Sequence, residues 1–203
     1  MNFRNLGALV MLLSIWLAML LGGAGAFDQR IYEAFFAGHR PVLLAIARFF
    51  TFFGEPTLLI GASAVVALLL WRARLARTGL VLLAVTLTGR ILSEVQKYWI
   101  ARARPDLEPH LVIVKTSSFP SGHATSSMIF YLTVALVLAD HSRWRFTGVV
   151  AAIMLSLLIG TSRVMLGVHW PSDVVGGWAF GLLWVLLTLG PAERLLHINS
   201  ETA

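Results

Sequence analysis

Six stretches without a charged side chain divide this sequence, at 5–27, 56–71, 78–89, 124–139, 146–162 and 174–192. A hydrocarbon core admits only backbone whose polar groups are bonded internally, so runs of this kind fold as helices gathered into a bundle. Several are shorter than the ~20 residues needed to cross a bilayer. Those helices must continue into polar turns buried within the bundle. The expectation is an all-α, six-span transmembrane bundle forming a single domain over residues 1–203.

Hydrophobic residues make up 58% of the chain and charged residues 13%, well away from the half-apolar, quarter-charged soluble norm. Cysteine is absent, which excludes disulfides, thiolate metal sites and a cysteine nucleophile. The net charge of +6 does not indicate nucleic acid, because the cations lie in short inter-span loops and one motif region rather than along a soluble face.

Arginines fix the expected orientation. Arg4, the cluster Arg72, Arg74 and Arg77, and the pair Arg143 and Arg145 mark the cytoplasmic side. Segment 28–55, with balanced charge, suits the opposite side, and both termini then lie inside. The first apolar run, with Ala24-Gly25-Ala26 after it, also fits a cleavable signal peptide, but its length favours a retained first span. The stretch from Ala192 to Ala203 reads as a short polar tail.

Three polar clusters interrupt the apolar pattern, each at a boundary that this topology puts on the extracytoplasmic side. In the first, Lys97 and Arg104 are seven residues apart. On a continuing helix they would share a face about 10.5 Å apart along the axis, close enough for two long side chains to meet on one anion. Pro105 ends that element at Arg104. Arg102 reads as an ordinary interfacial arginine. One turn earlier, Arg90 and Glu94 suit a buried ion pair.

In the second, Pro120 and Ser121 lead into the span near Ala124 and aim free backbone N–H groups at the site, where Gly122 permits close approach of a phosphate. His123 beside it is placed to protonate a leaving oxygen. In the third, Ser162-Arg163 is followed by Gly167, His169 and Asp173. One helical turn separates His169 from Asp173, so the carboxylate can accept the Nδ1 proton and leave Nε2 nucleophilic. Alone, this spacing equally suits a structural hydrogen bond or half a metal site. Lys97, Arg104 and Arg163 at the same place would repel a metal cation and suit a transferring phosphoryl group instead.

Together, Lys-x6-Arg-Pro, Pro-Ser-Gly-His and Ser-Arg-x3-Gly-x-His-x3-Asp resemble the three signature motifs of the type 2 phosphatidic acid phosphatase family, which also includes vanadium haloperoxidases. The motifs cover Lys97 to Asp173, and the span pattern extends the resemblance over nearly the whole chain. The resemblance implies that Lys97, Arg104, Arg163, Ser121 and Gly122 bind phosphate, His169 attacks phosphorus, His123 is the acid and Asp173 orients His169. It implies a phospho-histidine intermediate with no metal and no cofactor. Haloperoxidase members are much less apolar, so the chain falls with the lipid phosphatases. It resembles most closely the compact bacterial enzymes, and the resemblance implies a substrate among phosphatidic acid, phosphatidylglycerol phosphate, undecaprenyl diphosphate and lipid A. The expected partners are a lipid phosphate and membrane lipids, not nucleic acid, in the inner (plasma) membrane. A phosphotransferase using the same phospho-enzyme is the nearest alternative. A non-enzymatic lipid-binding protein fits less well, because His123, His169 and Asp173 are all present. Asp106, Glu108 and His110 are candidates for head-group choice.

Overall fold

The structure, a computed structural model, describes the backbone of residues 3–138 and 143–198 and the side chains of 6–138 and 143–189. Among the described residues there are eight helices and no strand: α1 (Phe3–Gly22), α2 (Ala26–Phe35), α3 (Pro41–Phe52), α4 (Pro56–Arg72), α5 (Ala76–Ile100), α6 (Gly122–Leu138), α7 (Arg145–Met165) and α8 (Pro171–Ile198). Three of them, α5, α7 and α8, are long and apolar enough to cross a membrane singly. Two bent pairs, α1 with α2 at 93° and α3 with α4 at 41°, raise the number to five. With the shorter apolar helix α6 beside them, the bundle is roughly consistent with the six charge-free runs.

Segment 28–55, expected as a connection, is itself helical. Proline at the first position starts both α3 and α4, where a missing N–H costs nothing. Between them Gly54 passes so close to α7 that a Cβ would lie 2.2 Å from Ile159 Cγ2. The C-terminal reading also changes, since α8 continues past Ala192 to Ile198; residues 199–203, like the side chain of Arg4, lie outside the described residues.

The bundle is organised around α8, which packs against α1, α5, α6 and α7. Gly177 and Gly181, one turn apart, face α6: a Cβ would lie 3.0 Å from the Ser121 carbonyl at the first and 2.8 Å from Met128 Cβ at the second. Lipid tails are as apolar as leucine, so close backbone approach through small residues contributes to helix adhesion here. Indoles add polar ties, Trp178 Nε1 donating to the Ser156 carbonyl on α7 and Trp184 Nε1 to the Val85 carbonyl on α5, both at 3.0 Å. The outer faces are apolar, with Val10, Val65, Leu80, Ile91 and Leu186 all exposed. That inversion of a soluble surface fits lipid as the surrounding solvent.

The helix directions place the ends of α5 and α7 with the starts of α6 and α8. The connection 73–75 and the start of α7 at Arg145, both flanked by arginines, lie at the other end. If the α6–α8 seam carries the fold, Gly177→Leu should cost the ~1–3 kcal/mol of an overpacked core, read as a lower unfolding temperature in detergent. A Gly61→Leu control, with nothing near its missing Cβ, should leave it unchanged.

Candidate active site

Helix α5 ends at Ala101, whose left-handed backbone (φ 48°) bonds back to the Lys97 carbonyl. Lys97 and Arg104 therefore do not share a continuing helical face, as the sequence suggested. The helix stops before Pro105 can end it, and Arg104 reaches the same place from the connection 101–121. Lys97 Nζ donates to the Ser117 carbonyl at 2.7 Å, and Arg104 Nε to the Thr116 carbonyl at 2.7 Å.

His169 lies in the short connection between α7 and α8 and is 2% exposed. Gly167 shapes that turn: its φ is +77°, and a Cβ would lie 2.9 Å from the Phe36 ring. Arg104 Nη1 stands 3.3 Å from His169 Nε2. A guanidinium can only donate, so Nε2 is the acceptor and the ring proton resides on Nδ1. Burial first, and then the charges of Lys97, Arg104, Arg163 and His123, push the imidazole well below its ordinary range, which keeps it neutral. A neutral ring with Nε2 unprotonated is the nucleophilic form.

On the Nδ1 side the arrangement differs from expectation. Asp173 Oδ2 is 3.5 Å from Nδ1, an ion-pair separation without a direct hydrogen bond. The Ser118 hydroxyl stands between them, 3.4 Å from Nδ1 and donating to Asp173 Oδ2. The same oxygen accepts the Trp170 N–H at 2.8 Å. Arg102, read from sequence as an interfacial arginine, is in fact a buried support. Its Nη1 donates to Asp173 Oδ1 at 2.9 Å, and its Nη2 bonds the Met19 and Leu20 carbonyls at the end of α1. Its guanidinium lies 4.4 Å over the Phe119 ring. Neither residue could be singled out beforehand: Ser118 lies two residues ahead of the Pro120-Ser121-Gly122-His123 motif, and Arg102 is told apart from other interfacial arginines only by its partners.

A cavity of about 560 Å³ opens in front of His169, lined by Lys97, Arg104, Gly122, His123 and Arg163. Arg163 Nη1 donates to Thr51 on α3 at 2.7 Å, while its buried Nε has no partner among the described residues. Gly122 earns its place sterically, since a Cβ would lie 3.0 Å from Arg90 Nη1 and 3.6 Å from Lys97 Cε. Ser121 is fully buried with its backbone carbonyl bonded to the Thr125 N–H, but its hydroxyl makes no capping bond. Arg90 and Glu94 do pair, at 2.8 Å, yet they are partly exposed and line this cavity rather than being buried in the bundle. Leu111 to Thr116 supply another wall. Asp106, Glu108 and His110 line a separate pocket formed by their own loop rather than the cavity in front of His169.

Residues 78–192 match the profile of the PAP2 superfamily. The chain belongs to this superfamily. It is 33% identical to the phosphatidylglycerophosphatase B of Bacillus subtilis over 178 residues, covering 86% of this chain and 87% of that protein. It is 30% identical to an undecaprenyl-diphosphatase of Sulfolobus acidocaldarius over 199 residues, covering 92% of each. The fold superimposes on the crystal structure of a transmembrane PAP2-type phosphatidylglycerolphosphate phosphatase from Bacillus subtilis with a TM-score of 0.83 at 30% identity, covering 95% of this chain and 98% of that one.

Within this PAP2 chain the arrangement can do one thing well: hold a tetrahedral anion against an uncharged imidazole, with guanidinium and ammonium groups around its oxygens. Two substitutions test the support behind the imidazole. Ser118→Ala should lower turnover about 10-fold, as loss of an orienting partner does. Arg102→Met should strand the Asp173 carboxylate and lower stability by about 3–5 kcal/mol, read as a loss of unfolding temperature in detergent.

Proposed function

We propose that this membrane lipid phosphatase acts through a phospho-histidine formed on His169, with the phosphoryl group held by Lys97, Arg104 and Arg163 and by the start of α6 at Ser121 and Gly122. The observation that carries the reading is His169 Nε2, 3.3 Å from the Arg104 guanidinium, on a residue that lines a cation-rich cavity. Its lone pair attacks phosphorus as the bond to the leaving oxygen breaks. His123, which lines the same cavity, protonates that oxygen. Water then attacks the phospho-histidine and gives a proton to His123, and the P–N electron pair returns to Nε2, restoring both imidazoles. Asp173, through Ser118 and at ion-pair range, stabilises the charge that His169 carries while phosphorylated.

The substrate is a lipid phosphomonoester or diphosphate of the kind named for its relatives, a phosphatidylglycerol phosphate or an undecaprenyl diphosphate. The cavity is bounded by apolar Phe52, Leu111 and Ile113 as well as by cations, which suits a charged head group with its tails left in the bilayer. The arginine-flanked connections at the opposite end of the bundle favour a site opening on the outer face of the inner membrane, with both termini inside.

Purified enzyme should release inorganic phosphate in the presence of EDTA and be inhibited by vanadate, and His169→Ala should abolish release. Full activity in that variant would overturn the mechanism. A phosphate-release panel of phosphatidic acid, phosphatidylglycerol phosphate, undecaprenyl diphosphate and lipid A should single out the preferred head group.

A further inference from the structure

The mechanism just proposed makes opposite demands on two imidazoles in one cavity. His169 must be neutral to attack, whereas His123 must carry a proton to give to the leaving oxygen. Both stand in the field of Arg90 and Lys97 from α5, Arg104 from the connection and Arg163 from α7. That field favours a neutral ring and so helps His169, but it opposes His123 as an acid. Something must separate the two.

Two carboxylates line the cavity, Glu55 and Glu94. Glu94 is taken up by Arg90 at 2.8 Å. Glu55, in the break between α3 and α4, holds Oε2 at 3.5 Å from His123 Nε2, while its other oxygen accepts a bond from Thr57 at 3.3 Å. Gly54 fixes the approach, because a Cβ there would lie 3.2 Å from His123 Cδ2 as well as striking Ile159. His123 is 12% exposed at its side chain and Glu55 50%, so the carboxylate sits on the water-reached rim and the imidazole behind it. At 3.5 Å the carboxylate stands at ion-pair range of Nε2, on an imidazole that also lines the cavity. Glu55 also lies outside residues 78–192, which match the superfamily profile, and outside all three motifs.

We propose that Glu55 is the positioning and counter-charge residue of His123, holding that imidazole in its acid form against the surrounding cations so that it can protonate the leaving oxygen. It touches neither phosphorus nor the leaving group. The inference rests on the phospho-histidine reading, and it adds a second His–carboxylate pair to the one at His169 and Asp173.

The test compares two substrates bearing the same apolar chain: an alkyl phosphate, whose alkoxide must be protonated to leave, and a nitrophenyl phosphate, whose phenolate leaves without a proton. The value of kcat/KM reports the steps through leaving-group departure. Glu55→Gln should lower it roughly 30-fold for the alkyl phosphate, within the range of general-acid effects, and by less than about 3-fold for the nitrophenyl phosphate. Glu55→Asp should recover much of the loss. Any general effect of removing a negative charge from an anion site acts on both substrates alike and cancels in the ratio. Equal losses on both substrates, or no loss on either, would overturn the proposal, provided the variant keeps its wild-type unfolding temperature. His169→Ala run alongside separates the two readings: activity there sinks the phospho-histidine mechanism, while an inactive His169→Ala with an indifferent Glu55→Gln sinks only the role of Glu55.

Discussion

The buried ion pair between Arg102 and Asp173 is the point from which the rest of the site is positioned. The guanidinium joins three parts of the chain: the last carbonyls of α1, the connection that leaves α5 and the first turn of α8. Asp28, buried on α2, reinforces the same junction by accepting the Ser172 N–H at 2.9 Å and the Ala24 N–H at 2.6 Å. With its two oxygens engaged by Arg102, Ser118 and the Trp170 N–H, Asp173 has little freedom left. His169, four residues before it, inherits that rigidity. Buried pairs of this kind contribute little net stability against apolar replacements, but breaking one side is costly. Their value here is geometric: they hold an imidazole at a fixed height over the cavity.

Around this anchor the electrostatics run one way. Cations on α5, α7 and the connection 101–121 converge with the start of α6, where unpaired backbone N–H groups add their own positive end. Most of these cations are steadied by neutral oxygens, the Ser117 and Thr116 carbonyls and the Thr51 hydroxyl, rather than by carboxylates. Their charge is therefore positioned without being neutralised, and it remains available to an incoming anion.

The fold and the motif residues were legible because both rest on strong local signals. Charge-free runs mark the spans, and residue types that are expensive inside a membrane mark the site. What stayed hidden depends on tertiary approach. Helix α2 carries Asp28, Arg30 and Glu33, and α3, apolar apart from Arg48, is too short to read as a span; packing of both against α7, and of α2 against α8, makes them part of the bundle. Ser118, Arg102 and Glu55 are common residue types at unremarkable positions, and their importance comes from partners about 50 to 100 residues away, such as Asp173 and His123. The spacing argument placed Lys97 and Arg104 on one helical face, whereas the two reach one cavity by different routes, since a left-handed Ala101 rather than Pro105 ends the helix.

The unneutralised cations have a consequence at the other end of the catalytic cycle. Inorganic phosphate left by hydrolysis bears the same oxygens as the group that was transferred, and it loses the tails that would draw it back toward the bilayer. The cations that would hold the transferred group would also hold this ion, so product release works against the same contacts that favour substrate binding. Arg48 and Lys115, both exposed, line the rim of that cavity, where the departing ion would meet water.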